Sequence, residues 1–232
     1  MKWMMLLMFF MLCNHAQAQQ SARIHDAYAI VSKSIEAQGG RAFLQSIKSL
    51  YTVSSTLAHG IPVNWIVKEM EPNKSAMQLV NNNRIMYQNW FDGKNGYEIA
   101  EGKKRKQYPA ELQDNFIKKR LIDELDYLDT SLWKLQLIGE ENVLNEPTYW
   151  VHARSSNGLA RNLYYSKSSY LPLRLDKLIS KENTYSYFYI SYTSKNGLTF
   201  SDRVRLFKNG VSQDIIVIDK VINNEVAETD FR

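Results

Sequence analysis

Few residues in this chain have the chemistry to act on another molecule. Beyond the first eighteen residues the histidines are His25, His59 and His152. None has H-E-x-x-H spacing or a cysteine beside it, so each reads as an ordinary helix-surface, turn or strand residue. Asp123, Glu124, Asp126 and Asp129 are dense enough for a cation site or an acid/base pair, but their closeness reads first as a solvated helix end. Lys103, Lys104, Arg105 and Lys106 form the densest basic run. It reads as a strand edge guarded by charge, with anionic lipid headgroups as the other reading. The chain has no G-x-S-x-G elbow, phosphate loop or G-x-G-x-x-G turn. It therefore points away from an enzyme and calls for no metal and no cofactor.

A second group is apolar and large: Trp65, Met70, Met77, Met86, Tyr87, Trp90, Phe91 and Trp133. Methionine and aromatic side chains fill irregular cores, and they also repack around flexible guests such as acyl chains. Trp65, Met77, Trp90 and Phe91, joined by Leu121 and Leu125, are the candidate ligand contacts. Strand alternation leaves open which of the first four face the guest.

These residues are carried mostly by strands. The first half shows strand patterns at 49–58, 62–70, 75–80, 84–91, 96–100 and 103–108, and the second half from about Leu132 to Phe231 is a run of short strands. Asn157-Gly158, Asn196-Gly197 and Asn209-Gly210 separate some of the later strands. Asn-Gly accepts the positive φ angles of tight hairpins, so neighbouring strands should pair antiparallel. The composite is one large, curved sheet in a mainly β (α+β) fold. Two helical segments accompany it. Ile24, Ala27, Tyr28, Val31 and Ile35 make one stripe over 21–38, which Gly39-Gly40 ends. Pro109 to Leu128 carries Ile117, Leu121, Leu125 and Leu128 on one face, as one helix or two short ones. A single apolar stripe must be buried, and the concave face of a curved sheet is the place for it.

The address is legible at the start. Lys2, the apolar run Trp3 to Leu12 and Ala16-Gln17-Ala18 have the form of a signal peptide cleaved before Gln19. The run is too short to span a membrane, so the mature chain is expected not to be integral to one. Cys13 is the sole cysteine and falls inside this leader. Its alternative role is that of a lipid-anchored residue, for which the preceding Leu12 is a poor context. The remaining 19–232 fits one domain. The formal charge is +5, falling to +4 without Lys2, too mild to indicate nucleic acid.

Several phrases, in their order, resemble the LolA-like periplasmic proteins, the outer-membrane lipoprotein-sorting carriers of Gram-negative bacteria and their relatives. Ala37 to Gly40 with Phe43 to Leu50 resembles the family's opening helix, turn and first strand. Trp90-Phe91-Asp92-Gly93 through Tyr97 is similar to its aromatic-Asp-Gly hairpin. Leu163 to Leu173 resembles its tyrosine strand, turn and leucine strand, with Ser166 where Asp is usual. Ser191 to Ser201 resembles the segment before its closing strands. The resemblance implies a half-barrel sheet of about 11 antiparallel strands, with helices in the concave face. It further implies an apolar space for lipid or lipoprotein acyl chains, and a gating arginine for which Arg41, Arg84 and Arg161 are alternatives. The implied function is a non-catalytic periplasmic carrier; the alternative is an interaction module that contacts an envelope protein.

The leader yields a first prediction. Intact mass of the exported protein should place its N-terminus at Gln19, and a diacylglyceryl group on Cys13 would make it an anchored protein instead.

Overall fold

The computed structural model describes residues 26–58, 60–179, 184–208 and 210–232. The leader and its cleavage site, Cys13, Ile24, His25, His59 and Asn209 lie outside them. Helix α1 spans 26–38 and α2 Arg41–Ser46. The strands of the first half are β1 Ser49–Ala58, β2 Ile61–Met70, β3 Lys74–Asn81, β4 Arg84–Phe91, β5 Gly96–Ala100 and β6 Lys103–Lys106. A 3-10 turn at Pro109–Leu112, α3 Gln113–Ile117 and α4 Asp123–Tyr127 follow. The second half comprises β7 Trp133–Val143, β8 Glu146–Ser155, β9 Ala160–Ser166, β10 Pro172–Leu178, β11 Thr184–Lys195, β12 Leu198–Lys208 and β13 Val211–Ile222, closed by a 3-10 turn at Glu228–Phe231.

All thirteen strands form one sheet, in the order β6-β5-β4-β3-β2-β1-β13-β12-β11-β10-β9-β8-β7. Every pairing is antiparallel, and β13 returns to lie against β1. The sheet is therefore mainly a double meander with β6 and β7 as free edges. The count exceeds the eleven or so that the resemblance implies. Glu101 and Gly102 both take positive φ, 51° and 75°, which makes β5 and β6 separate strands. Leu144 and Asn145 do the same at 53° and 65°. They join β7 to β8 through a turn that a leucine does not advertise. The expected Asn-Gly hairpin at Asn196-Gly197 has φ of 51° and 85°. Gly39 packs onto this hairpin, where a Cβ would lie 2.4 Å from the Gly197 carbonyl oxygen.

The helices pack on one face of the sheet. Ala27, Ile30 and Val31 of α1 join Trp133, Leu135, Val151, Ala153, Leu163, Tyr165 and Leu175 from β7 to β10 in one core, with Ile117 and Tyr127 from the segment between β6 and β7. Ile35, Leu44 and Ile47 join Leu50, Leu121, Leu125 and Leu198 in a second. The segment after β6 is two short helices; Ile117, Leu121 and Leu125 of its expected stripe are buried and Leu128 half-buried, even though Leu121 lies in the link between the helices. The link is extended at Lys118, with ψ of 130°. Two carboxyl-held backbone turns around Asp126 do the work that further helix would have done.

The same segment shows that the sheet is strongly bent. Phe116 meets Phe91 of β4 edge-on at 5.5 Å, while Asp114, two residues earlier, is 3.0 Å from Arg161 of β9. Eight strand spacings separate β4 from β9, which would be roughly 40 Å in a flat sheet. Two residues of chain reach under 8 Å, so the sheet must curl to present both strands to this segment.

Leu121 is the test of this packing. Leu121→Ala should cost about 2–5 kcal/mol in urea unfolding, as for other buried leucines. A loss within about 0.5 kcal/mol is the surface range and would mean that the segment does not bury its stripe.

Candidate ligand-binding face

Strand register assigns side chains to the helix-bearing face. Leu50 is buried with the helices, and its partners on the same face run through Glu69, Val67, Trp65 and Val63 of β2. Ser75, Met77 and Leu79 of β3 continue this face, followed by Phe91, Asn89 and Tyr87 of β4. On the other side of β1 the face includes Val217 and Ile215, then Val204 and Leu206, then Tyr189 and Tyr187. The helices cover β7 to β10. Trp65, Val67, Met77, Leu79, Val204, Leu206 and Val217 remain only half-buried. An apolar strip, interrupted at β1 by Thr52, Ser54 and Thr56, thus lies beside the helices along β2, β3, β12 and β13.

Of the residues singled out from the sequence, Trp65 and Met77 fall on this strip as diagonal neighbours across β2 and β3. Phe91 shares the face but is buried against Phe116. Trp90 alternates to the opposite face. There it stacks on Tyr97 at 5.5 Å beneath Lys104, and the C-terminal turn with Phe231 covers the same region. Leu121 and Leu125 are core residues under α2 rather than neighbours of Trp65. The six candidates therefore divide, and only Trp65 and Met77 meet on the half-buried strip. His152 is an ordinary strand histidine, with Nδ1 2.9 Å from Asn162 Oδ1. The Lys103–Lys106 run is the exposed edge strand β6.

Between strip and helices runs a chain of charges. Glu69 of β2 accepts from Lys118 at 2.8 Å, Lys118 lies 3.8 Å from Asp123, and Asp123 lies 3.2 Å from Arg161 of β9. Arg161 also donates to Asp114 at 3.0 Å and to the Tyr127 hydroxyl at 2.7 Å. Asp114 is bonded in turn by Lys177 of β10. Burial opposes the charges of Asp114, Lys118, Asp123 and Arg161, yet the partners win. Lys177 and Arg161 hold Asp114 down at about 2, and Glu69 with Asp123 raise Lys118. Tyr127, Asp123 and Asp114 keep Arg161 well above its ordinary value. Arg161 alternates with Leu163 and Tyr165 on a buried face, so a charge in the apolar phase of a strand was the signal for it. Arg41 and Arg84 are exposed at the start of α2 and of β4.

The acidic cluster is not the solvated helix end that its density suggested. Asp126 is buried and accepts the Lys119 and Arg120 N–H groups at 2.8 and 3.1 Å; burial still pushes it up to about 6. Glu124 lines a cavity of about 210 Å³ with Gln38, Tyr165, Tyr189, Tyr192 and Phe200. Burial, then the Asp123 charge, push Glu124 up to about 7, and Gln38 and Arg161 offset this only in part. Among the described residues no three His, Cys, Asp or Glu side chains converge to hold a metal ion. Also among them, no helix is long and apolar enough to cross a membrane.

An open, bent antiparallel sheet with helices on one face and an apolar strip beside them is the LolA-like fold. No family model matches the sequence, and no curated protein matches it. The chain is similar in structure to a LolA superfamily protein from Nitrosomonas europaea, with 14% identity, a TM-score of 0.59 and coverage of 89% of this chain and 97% of that one. It is also similar to a protein described as an outer-membrane lipoprotein-sorting domain from Vibrio parahaemolyticus, with 10% identity, a TM-score of 0.63 and coverage of 90% and 97%. A DUF1329 family protein from Desulfovibrio piger gives 13% identity, a TM-score of 0.64 and the same coverage. These likenesses establish the fold.

Glu124 makes the site's electrostatics measurable. Its folded value, about 7, lies above its ordinary 4.5, so the folded protein holds a proton that the unfolded chain has released. Its contribution to stability is present below about pH 4.5 and declines as pH rises to about 7. Relative to wild type, Glu124→Gln should gain on the order of 2–3 kcal/mol between those two pH values. Equal urea midpoint differences at both pH values would show that Glu124 titrates normally.

Proposed function

We propose that the protein is a non-catalytic carrier of the cell envelope that receives acyl chains of a lipid or lipoprotein. In this reading 1–18 is removed as a signal peptide, 19–232 folds as one LolA-like domain in the periplasm, and the bent sheet is a half-barrel with the helices in its concavity. The observation that carries the proposal is the half-buried strip of Trp65, Val67, Met77, Leu79, Val204, Leu206 and Val217. These side chains share one face with the buried core, but the helices leave them partly uncovered. A chain laid along the strip would complete their burial. Each methylene removed from water contributes about 0.8 kcal/mol, so about ten of them match the roughly 8 kcal/mol of micromolar binding, and further methylenes must offset the ordering costs. An ordinary long acyl chain exceeds that length. The fold shared with a protein described as lipoprotein-sorting supports the same reading.

The mature protein should therefore copurify with extractable lipid, or bind a fluorescent fatty-acid probe with micromolar affinity. Trp65→Asp or Met77→Asp, where folding is intact, should weaken the probe by at least about tenfold, because a charge on the strip would lose its water on ligand binding. Gln78→Glu, on the opposite face of β3, should leave affinity unchanged. No copurified lipid and no probe binding at about 50 μM, some 5.9 kcal/mol, would end the carrier reading and favour the interaction module.

A further inference from the structure

Antiparallel order gathers the hairpin tips of the sheet at two opposite ends. At one end lie the finish of β1, β3, β5, β8, β10 and β12 and the start of β2, β4, β6, β7, β9, β11 and β13. That end carries Leu57, Ile61, Ile85, Met86, Ile179, Phe207 and Val211, each between 38% and 69% exposed. These are seven of the thirteen large apolar side chains exposed among the described residues, so the exposure is concentrated rather than scattered. Among the described residues, the exposed cationic side chains nearest these apolar ones include Arg84, Lys103 and Lys208. Glu101 stands beside Lys103 in the β5–β6 turn, and Asp214 is taken up by Arg203 and Arg205.

We infer that this end of the sheet docks on the surface of a bilayer that contains anionic phospholipid. The apolar side chains sit on separate hairpin tips, one or two to each, with cations between them. A folded partner would need a matching pocket for every tip, whereas the boundary between headgroups and hydrocarbon accepts isolated apolar side chains anywhere along its plane. Arg84, Lys103 and Lys208 complement a negative surface, where each basic side chain adds to attraction within a Debye length. The location also has a consequence for access. Trp65 lies four residues from Ile61, and Leu206 one residue from Phe207, so the tips lead directly onto the half-buried strip. The helical turn at Gly39-Gly40 packs at the opposite end, on the β11–β12 hairpin.

The test is flotation of the mature protein with vesicles of phosphatidylcholine alone or mixed with phosphatidylglycerol. The protein should float with the mixed vesicles, and binding should fall at about 0.5 M salt, where the Debye length shrinks to a few ångströms. Met86→Asp with Val211→Asp should lower partitioning at least about tenfold, and Arg84→Gln with Lys103→Gln and Lys208→Gln should do likewise. All five side chains are exposed, so urea midpoints should hold. Fatty-acid probe affinity in these variants should stay at the wild-type value, which separates docking from acyl-chain binding. Failure to float with either vesicle, or flotation that neither set of substitutions reduces, would overturn the inference.

Discussion

The charge chain from Glu69 through Lys118, Asp123, Arg161 and Asp114 to Lys177 is the constraint on which the other features hang. It joins β2 to β9 and β10 through one short segment. Those strands lie far apart in sheet order, and an open sheet has no hydrogen-bonded closure to hold it bent. The ion pairs lie partly buried, where removing one partner leaves a charge without solvent and typically costs about 3–5 kcal/mol. The benefit of the chain is therefore less in net stability than in geometry. It admits one curvature, because a flatter sheet would strand Lys118 or Arg161.

That geometry decides which part of the face is dry. Where α1 lies on β7 to β10, Ala27, Val31, Val151 and Ala153 are fully enclosed. Small side chains there let helix and sheet approach closely. Along β2 and β3 the residues are Trp65, Val67, Met77 and Leu79, larger and left partly in water. The two edges of the sheet are handled differently. β6 is all lysine and arginine, and β7 alternates exposed Lys134, Gln136 and Glu140 with its buried positions. Each device keeps an unpaired edge from recruiting another chain.

Strands were readable because alternation and turn residues are local properties. Asn196-Gly197 announces its hairpin; Leu144-Asn145 does not, since only the tertiary pull of β7 on β8 places a leucine at positive φ. The stripe of Ile117, Leu121 and Leu125 was also legible, although periodicity suggested more helix than the segment contains. The site was less so. Trp65 and Trp90 look alike in sequence, yet strand phase puts them on opposite faces, and phase is set by pairing with β1 and β5 rather than by composition. The acidic cluster misled because density on a helix suggests solvent. Asp126 instead caps the backbone of the link, and Asp123 answers an arginine 38 residues later.

The molecule also has a chemical polarity along its strands. At one end the helices, Gly39 and the β11–β12 hairpin form a close contact that tolerates no added carbon. At the other, strand tips expose apolar side chains beside cations. A symmetrical sheet would have no reason to differ so between its ends, since both are built from the same kind of hairpin. The asymmetry follows from where the helices are attached. The helical segments reach the far end only over β7 to β10, where the Gln113 carbonyl accepts from Asn157 of the β8–β9 turn and the Tyr28 hydroxyl donates to the Trp133 carbonyl, while the apolar tips of β1 to β4, β12 and β13 stay exposed. At a rise of 1.5 Å per residue, a five-residue helix such as α4 extends under 8 Å, against about 33 Å for a ten-residue strand. Helices this short on strands this long cannot cover the whole face. The break between α3 and α4, where Asp126 accepts the Lys119 and Arg120 N–H groups, keeps this segment compact and leaves Trp65, Val67, Met77 and Leu79 partly in water.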